Sequence, residues 1–363
     1  MDGAFVAAEP KICRSFREAC TVAGSTVLRG LMGGDPAEDF ARSAAATLAC
    51  VPRSLDSRFL YDADGSALFE LITKQPEYYL TRAEASILAA CSGRIREVTG
   101  PVTLLELGSG NSAKTHHLLR AWLKRDARVR YVPVDVSEST LIDAGSAINA
   151  AYRGVKVIGL NCDFQGAFPL LPLLSPVMVL LLGSTIGNFA PDLMSSFLGS
   201  LAAALSPGDF FLIGIDLVKD PALLEAAYND KAGVTARFTR NVFARMNREL
   251  GCSLDLESIE HLARWDAERE QIEIFGRFTR KQTMRLATPG VTLTVSEGEL
   301  VQTEISRKFR RERLIPYLEQ FGFRAEQVFD DERGWFSLVL LRRTSDDLQQ
   351  PRAAGGNHDS LGP

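Results

Sequence analysis

The sequence has 363 residues, 46% hydrophobic and 24% charged, enough apolar surface for a large core and too much for a disordered or fibrous chain. A formal net charge of -4 and a pI near 5.7 supply no field to hold a polyanion, so a small-molecule substrate is expected and a nucleic-acid partner is not. The six cysteines lie far apart, with no CxxC pair and no histidine at a ligand-like spacing, which fits a reduced, cytoplasmic protein without a metal site.

Taken in chain order, residues 1–29 read as an N-terminal extension that lacks the basic flank and unbroken apolar run of a signal peptide. From residue 102 onward, short apolar runs alternate with helical patterns, the signature of a doubly wound α/β sheet covered on both faces. Strands are predicted over 102–107, 129–134, 155–160, 177–182 and 210–215. The most apolar stretch, 170–183, is interrupted by Pro172 and Pro176 and is too short to cross a bilayer, so no membrane association is expected. Beyond Asp216 the rhythm breaks: 221–251 has a helical period and 271–305 several β-like runs. It resumes with an amphipathic helix over 310–321 and a closing antiparallel hairpin from 324–329 and 335–342.

The economical organisation has a cofactor-binding body, 83–216 with 309–344, and an α+β lobe, 30–82 with 217–308, packed over the carboxyl ends of the strands. Residues before about 82 are expected to lie outside the main sheet. The polar tail 345–363 is expected to be disordered, and the chain to be a monomer.

In LLELGSGNSAK (104–114), an apolar strand runs into Gly108 and Gly110 and then into a helix whose first amides have no intrahelical partner. Glycine there lets a ligand approach the backbone closely, but the run also satisfies G-x-G-x-x-A and by itself suits a dinucleotide equally well. Asp135 at the end of the next strand suits a ribose, and Asp163 with Phe164 after the third suits an adenine amino group and ring face. Lys114, one turn into the helix, is placed to reach a ligand carboxylate. Glu106 precedes the first glycine. Together these strand ends resemble class I S-adenosylmethionine-dependent methyltransferases, whereas a dehydrogenase needs a hydride-handling pair that the few histidines are not placed to provide. Each residue also has a structural reading: the glycines as a tight turn, Asp135 as a helix N-cap, and Lys114 as a solvated helix residue.

Four further stretches sharpen this: FLYDADGSALFELITKQPEYYLTRAEASIL (59–88), LLLGSTIGNFAP (180–191), DLVKDPALLEAAYNDKAGVTARFTRNVFARMNRELG (216–251) and QTEISRKF (302–309). With the glycine turn they resemble the histidine-specific methyltransferase family over roughly residues 50–343. The resemblance implies a Rossmann-like body with a second substrate lobe, and S-adenosylmethionine held by Gly108, Lys114, Asp135, Asp163 and Phe164. It implies amino-acid contacts at Tyr78, Asn188, Tyr228, Glu304 and Ser306, with Tyr61 joining Asn188 near the amine. The activity implied is Nα-methylation of histidine to the trimethylammonium betaine of the ergothioneine pathway.

Glu304 and Ser306 are two apart in a predicted strand, so both face one side, where a carboxylate and a hydroxyl together suit the two nitrogens of an imidazole. The alternative for Ser306 is an N-cap of a helix starting near Arg307; for Glu304, Asn188 and the tyrosines it is a solvated strand residue, a turn and core aromatics. The basic run RKFRRER (307–313) reads as the polar face of an amphipathic helix rather than an RNA patch. Two positions depart from the family. Ile274 stands where histidine-using members carry methionine beside the substrate ring, and Leu80 replaces a frequent proline. The first keeps open another amino acid, such as the prenylated tryptophan of a fungal branch.

Overall fold

The computed structural model describes residues 11–22, 24–29, 35–286 and 290–345. Within these, strands β1 (Thr26–Leu28) and β2 (Arg53–Ser54) precede the alternating region. That region supplies β3 (Thr103–Leu107), β4 (Val129–Asp135), β5 (Val155–Asn161), β6 (Val177–Leu181) and β7 (Phe210–Asp216). The insertion contributes β8 (Ile259–Asp266), β9 (Gln271–Phe278), β10 (Gln282–Leu286), β11 (Val291–Val295) and β12 (Leu300–Arg307). The chain closes with the hairpin β13 (Phe323–Asp330) and β14 (Phe336–Arg343).

The large sheet has the order β1-β5-β4-β3-β6-β7-β14-β13, with β14 antiparallel to both of its neighbours and the other pairings parallel. It is the Rossmann-like class I methyltransferase fold that the resemblance implies, with one strand added at an edge. Period-two alternation divides its core. Leu104, Tyr131, Val157, Leu180, Leu212 and Leu340 pack on one face with Ile87, Leu88, Leu118 and Leu119 of the helices Leu80–Thr99 and His116–Leu123. Leu105, Val132, Ile158, Val179, Ile213 and Leu341 pack on the other with Leu198 and Leu201 of the helix Pro191–Ala204 and Leu318 of the helix Arg311–Glu319.

A four-stranded sheet, β2-β12-β9-β8, carries the helix Val234–Leu250. Phe238, Val242 and Met246 of that helix pack with Ile272, Ile274 and Phe278 of β9 in the same apolar cluster as the first face of the large sheet. The inserted part therefore shares a core with the body. Where the chain leaves and re-enters the body, the two crossings lie side by side: Phe309 N donates to Asp216 O at 2.8 Å and Val218 N to Phe309 O at 3.1 Å.

Residues before 82 do not all lie outside the large sheet, as expected from sequence. Thr26–Leu28 pair with Ile158, Gly159 and Leu160 of β5, whose outer edge otherwise carries unpaired backbone groups. Three residues are too few to show a strand period, and Lys156 anchors the approach by donating to Gly24 O at 2.8 Å. The tail expected to be disordered lies, from 346 on, outside the described residues. Leu80 is the first residue of its helix, a position where proline is equally at home, so its replacement leaves the backbone unchanged.

One glycine in the body has no room to change. A Cβ on Gly214 of β7 would stand 2.0 Å from Glu84 Oε1 and 3.1 Å from Phe336 Cε1. Gly214→Ala is expected to lower stability by about 1–3 kcal/mol through overpacking, read as a lower urea midpoint at unchanged slope. Gly199→Ala, in the helix Pro191–Ala204 where a Cβ meets nothing within 4 Å, is expected to raise it by roughly 0.5–1 kcal/mol.

Candidate functional site

The glycine turn after β3 is built as the sequence requires. Gly108 and Gly110 have φ of 67° and 50°, a region glycine occupies without strain. Gly108 N donates to Val134 O at 2.8 Å, which ties the turn to the end of β4. The Asp135 carboxylate accepts from Gly110 N and from Ser137 N, each at 2.9 Å, so it joins the turn to the next loop. It is not the N-cap of the following helix, a place taken by Ser137. Burial pushes the Asp135 carboxyl up, opposed by these amides. Phe164 Cζ lies 3.3 Å from the point a Gly108 Cβ would occupy, so the ring rests against the turn. Asp163 is exposed and caps the short helix Phe164–Ala167, its Oδ1 accepting from Gly166 N at 2.7 Å.

Glu106 lies buried beneath the turn, accepting from Thr115 Oγ1 at 2.5 Å and from the Tyr131 hydroxyl; burial raises its pKa to about 7. It braces the turn from below. Lys114 is ion-paired with Glu84, a fully buried residue whose carboxylate also accepts from Gly183 N at 2.8 Å. A strand-end carboxylate, a ring resting on an open glycine turn and an ammonium thus line the same strand ends. They fit a nucleoside that carries an amino-acid tail.

The residues expected around the amino acid also converge. Asn188 ends a 3-10 turn, Thr185–Asn188, after β6, and its Nδ2 donates to Glu304 Oε1 at 2.8 Å. The approach depends on Gly187, where a Cβ would stand 2.7 Å from Arg307 O. Ile274 is buried and directly opposite Glu304 in the β9–β12 register. Burial pushes the Glu304 carboxyl up to about 7, opposed by the Lys308 charge and the Asn188 amide. The Tyr228 and Ser306 hydroxyls lie 2.7 Å apart. Tyr78 meets Tyr228 edge-on at 6.1 Å between ring centroids, while Tyr61 packs edge-on against Phe69 and Phe238. Burial first, and then Glu304, Tyr228 and Tyr78, hold the Tyr61 phenol well above its ordinary pKa.

Two of the structural readings fail at the end of β12. Ser306 is not a helix N-cap: β12 runs through Arg307, and the helix begins at Arg311. The basic run 307–313 is not one helix face either. Arg310, Arg311 and Arg313 pair near the surface with Glu270 and Asp330, but Lys308 is fully buried against Asp216, Nζ to Oδ2 2.9 Å. The strand period carries on from Glu304 through Ser306 to Lys308, and that extension is the signal by which Lys308 is visible in the sequence.

Asp216, the last residue of β7, collects a further set of partners absent from the expected site. Tyr79 OH donates to it at 2.8 Å, Lys219 Nζ at 2.5 Å, and its own N–H donates to Ser184 Oγ at 3.0 Å. Burial lowers the Lys219 pKa to about 8 against the pull of Asp216. Nothing in the spacing of Glu84, Tyr79, Asp216 and Lys219 marks them; contacts across 99 and 137 residues bring them together.

Comparison with known proteins identifies the family. The family model described as histidine-specific methyltransferase, SAM-dependent, matches residues 40–343. A histidine N-alpha-methyltransferase of Mycolicibacterium smegmatis is 42% identical over 313 residues, 86% of this chain and 98% of that protein. One of Mycobacterium tuberculosis is 41% identical over 302 residues, 83% and 94% of the two chains. The ergothioneine biosynthesis protein 1 of Neurospora crassa is 35% identical over 205 residues, 55% of this chain and 23% of that longer one. The choice between a sulfonium cofactor and a dinucleotide, open on the glycine turn alone, is thereby closed: the chain belongs to the S-adenosylmethionine-dependent histidine-specific methyltransferase family.

Proposed function

We propose that the protein is an L-histidine Nα-methyltransferase that carries its substrate to Nα,Nα,Nα-trimethyl-L-histidine, hercynine, by three successive transfers in the cytoplasm, as a step of ergothioneine biosynthesis. The observation that carries this reading is the pairing of the Glu304 carboxylate with the Tyr228–Ser306 hydroxyl pair two residues along β12. One accepts from an imidazole N–H and the other meets the second nitrogen. Asn188 links this ring site to the loop at the end of β6, where the α-amine is held.

In this reading 83–216 with 309–344 bind the cofactor and 30–82 with 217–308 the amino acid. Asp135 takes the ribose hydroxyls, Asp163 and Phe164 the adenine, Lys114 the carboxylate, and Gly108 leaves the space they need. When bound, S-adenosylmethionine supplies an electrophilic methyl group on a good leaving group. The chain's own residues hold the amine in line with that group and strip it of water, which is where the rate advantage of a bound pair arises. The amine must be neutral to attack; its proton passes to water with Tyr61 as relay. That phenol stays protonated over the ordinary pH range, so it relays by accepting and donating together. The rings of Tyr61, Tyr78 and Tyr228 suit each more methylated cation, because a ring face attracts a cation without requiring an N–H.

Purified protein with S-adenosylmethionine and L-histidine is expected to give mono-, di- and trimethylated histidine by mass spectrometry. No mass gain on histidine, with gain on a tryptophan derivative, refutes the substrate. Glu304→Ala is expected to weaken histidine binding in the presence of S-adenosylhomocysteine by about 10- to 100-fold, the value of a charge-assisted hydrogen bond, while cofactor affinity stays within about twofold. Equal losses of both would make Glu304 structural.

The pH dependence follows from the raised Glu304 pKa. Below about 7 the carboxyl is protonated and stops accepting an N–H, so histidine affinity falls as pH drops through that value. The phenols around it, Tyr61, Tyr78 and Tyr228, stay protonated in this interval. Calorimetry from about pH 8 to 6 is expected to show this loss added to that from protonation of the free histidine ring. In Glu304→Gln only the ring's own titration should remain; an unaltered profile would remove Glu304 from the binding equilibrium.

A further inference from the structure

Lys308 is fully buried in the wall of the candidate substrate site, and all three of its N–H donors are spoken for. Nζ lies 2.9 Å from Asp216 Oδ2, 2.8 Å from Tyr228 OH and 2.9 Å from Ser306 Oγ. Burial lowers its pKa, and two carboxylates, Asp216 and then Glu304, favour the charged form. An ammonium in this position only donates, which constrains the two hydroxyls it meets.

Each hydroxyl has one proton and two acceptor sites. Both oxygens accept from Lys308, and because they lie 2.7 Å apart, one also donates to the other. The hydroxyl that receives both bonds has no acceptor site left and keeps one free proton. Phenol being the stronger acid, Tyr228 donates to Ser306 and the free proton is on Ser306. The direction decides what Ser306 offers: saturated by Lys308 and Tyr228 it presents one donor and no acceptor, whereas the reverse pairing would leave it one acceptor site.

We propose that Lys308 is a positioning residue that fixes the direction of the Tyr228 and Ser306 protons, so that the site sets one outward O–H donor beside the Glu304 acceptor and takes an azole ring only in its neutral form. The sense of this selection is unusual for a site with a carboxylate. Glu304 alone favours an imidazolium, which offers two N–H donors. With the Lys308-oriented donor opposite, an imidazolium places N–H against O–H, and a ring with N–H alone, such as pyrrole or indole, leaves the O–H facing carbon. A neutral imidazole satisfies both, its N–H to Glu304 and its lone pair to the hydroxyl. Lys308 thereby acts against indole substrates as well as for imidazole, because an unpaired buried donor is costly.

Asp216 keeps Lys219 and Tyr79 as partners when Lys308 is replaced, so Lys308→Met leaves no naked buried carboxylate. The inference rests on histidine as substrate, and the experiment separates the two. Wild-type protein is expected to prefer L-histidine over a pyrrolylalanine with the same N–H and one ring nitrogen replaced by C–H by about 10- to 100-fold in kcat/KM. In Lys308→Met, with S-adenosylhomocysteine affinity unchanged, the freed hydroxyls rotate and the preference falls by about tenfold. A folded variant that keeps the wild-type ratio overturns the proposal. An independent measurement on wild-type protein guards against a variant that does not fold. Ring-15N histidine bound with S-adenosylhomocysteine is expected to show one protonated and one bare nitrogen throughout a titration from about pH 8, where Glu304 is ionised, down to the free ring's pKa of about 6.5. Two protonated nitrogens overturn it. Histidine methylation with either adverse result removes only this inference; absence of histidine methylation removes the substrate reading as well.

Discussion

Asp216 and Lys308 form an ion pair at the seam of the molecule, with neither side chain exposed to solvent. Asp216 ends the last parallel strand of the body, and Lys308 follows the last strand of the insertion. Two charges out of water stabilise a fold weakly, since desolvation offsets most of their attraction, but that attraction is realised only where the two strand ends meet in register. The pair therefore works as a register pin. It fixes where β12 lies relative to the end of β7, and with it Glu304 and Ser306, which stand on the same strand face as Lys308.

Both halves of the candidate site hang on this seam. Ser184, in the loop after β6, accepts from the Asp216 amide, and four residues on that loop presents Asn188 to Glu304. On the other side Glu84 ties Lys114, which lies in the turn before the helix His116–Leu123 and not within it as expected, to Gly183 at the start of the same loop. A single turn after β6 is thus gripped by the cofactor side through Glu84 and by the substrate side through Asp216 and Glu304. In the proposed reaction, which asks the protein for alignment rather than a nucleophile, the spacing of these fixed points sets the geometry at the transferred methyl group.

The buried polar groups divide into two kinds. Glu84, Glu106 and Asp216 are saturated by backbone amides, hydroxyls and ammonium groups, and serve as fixed supports. Glu304 and the Tyr228–Ser306 pair retain capacity directed at a ligand. Glu304 is a carboxylate with one amide donor, where Glu84 has an amide and an ammonium. Ile274, buried opposite Glu304 in the register, presents an apolar side chain there.

The sequence by itself determined the alternating sheet, the glycine turn and the pairing of Glu304 with Ser306. Each of these is a local matter: a period of two or 3.6, a positive φ, two side chains on one strand face. It also placed the closing hairpin, because β13 and β14 are adjacent in the chain. Tertiary structure alone decided the edge strand Thr26–Leu28, too short to carry a period and defined by the open edge of β5. It also set Lys308 apart from the basic run as a buried donor: the strand period puts it in phase with Glu304 and Ser306, but its partner Asp216 is supplied only by the fold. Glu84 and Tyr79 were invisible for the same physical reason: their meaning lies in desolvation and in partners far away along the chain, and neither leaves a mark on residue spacing.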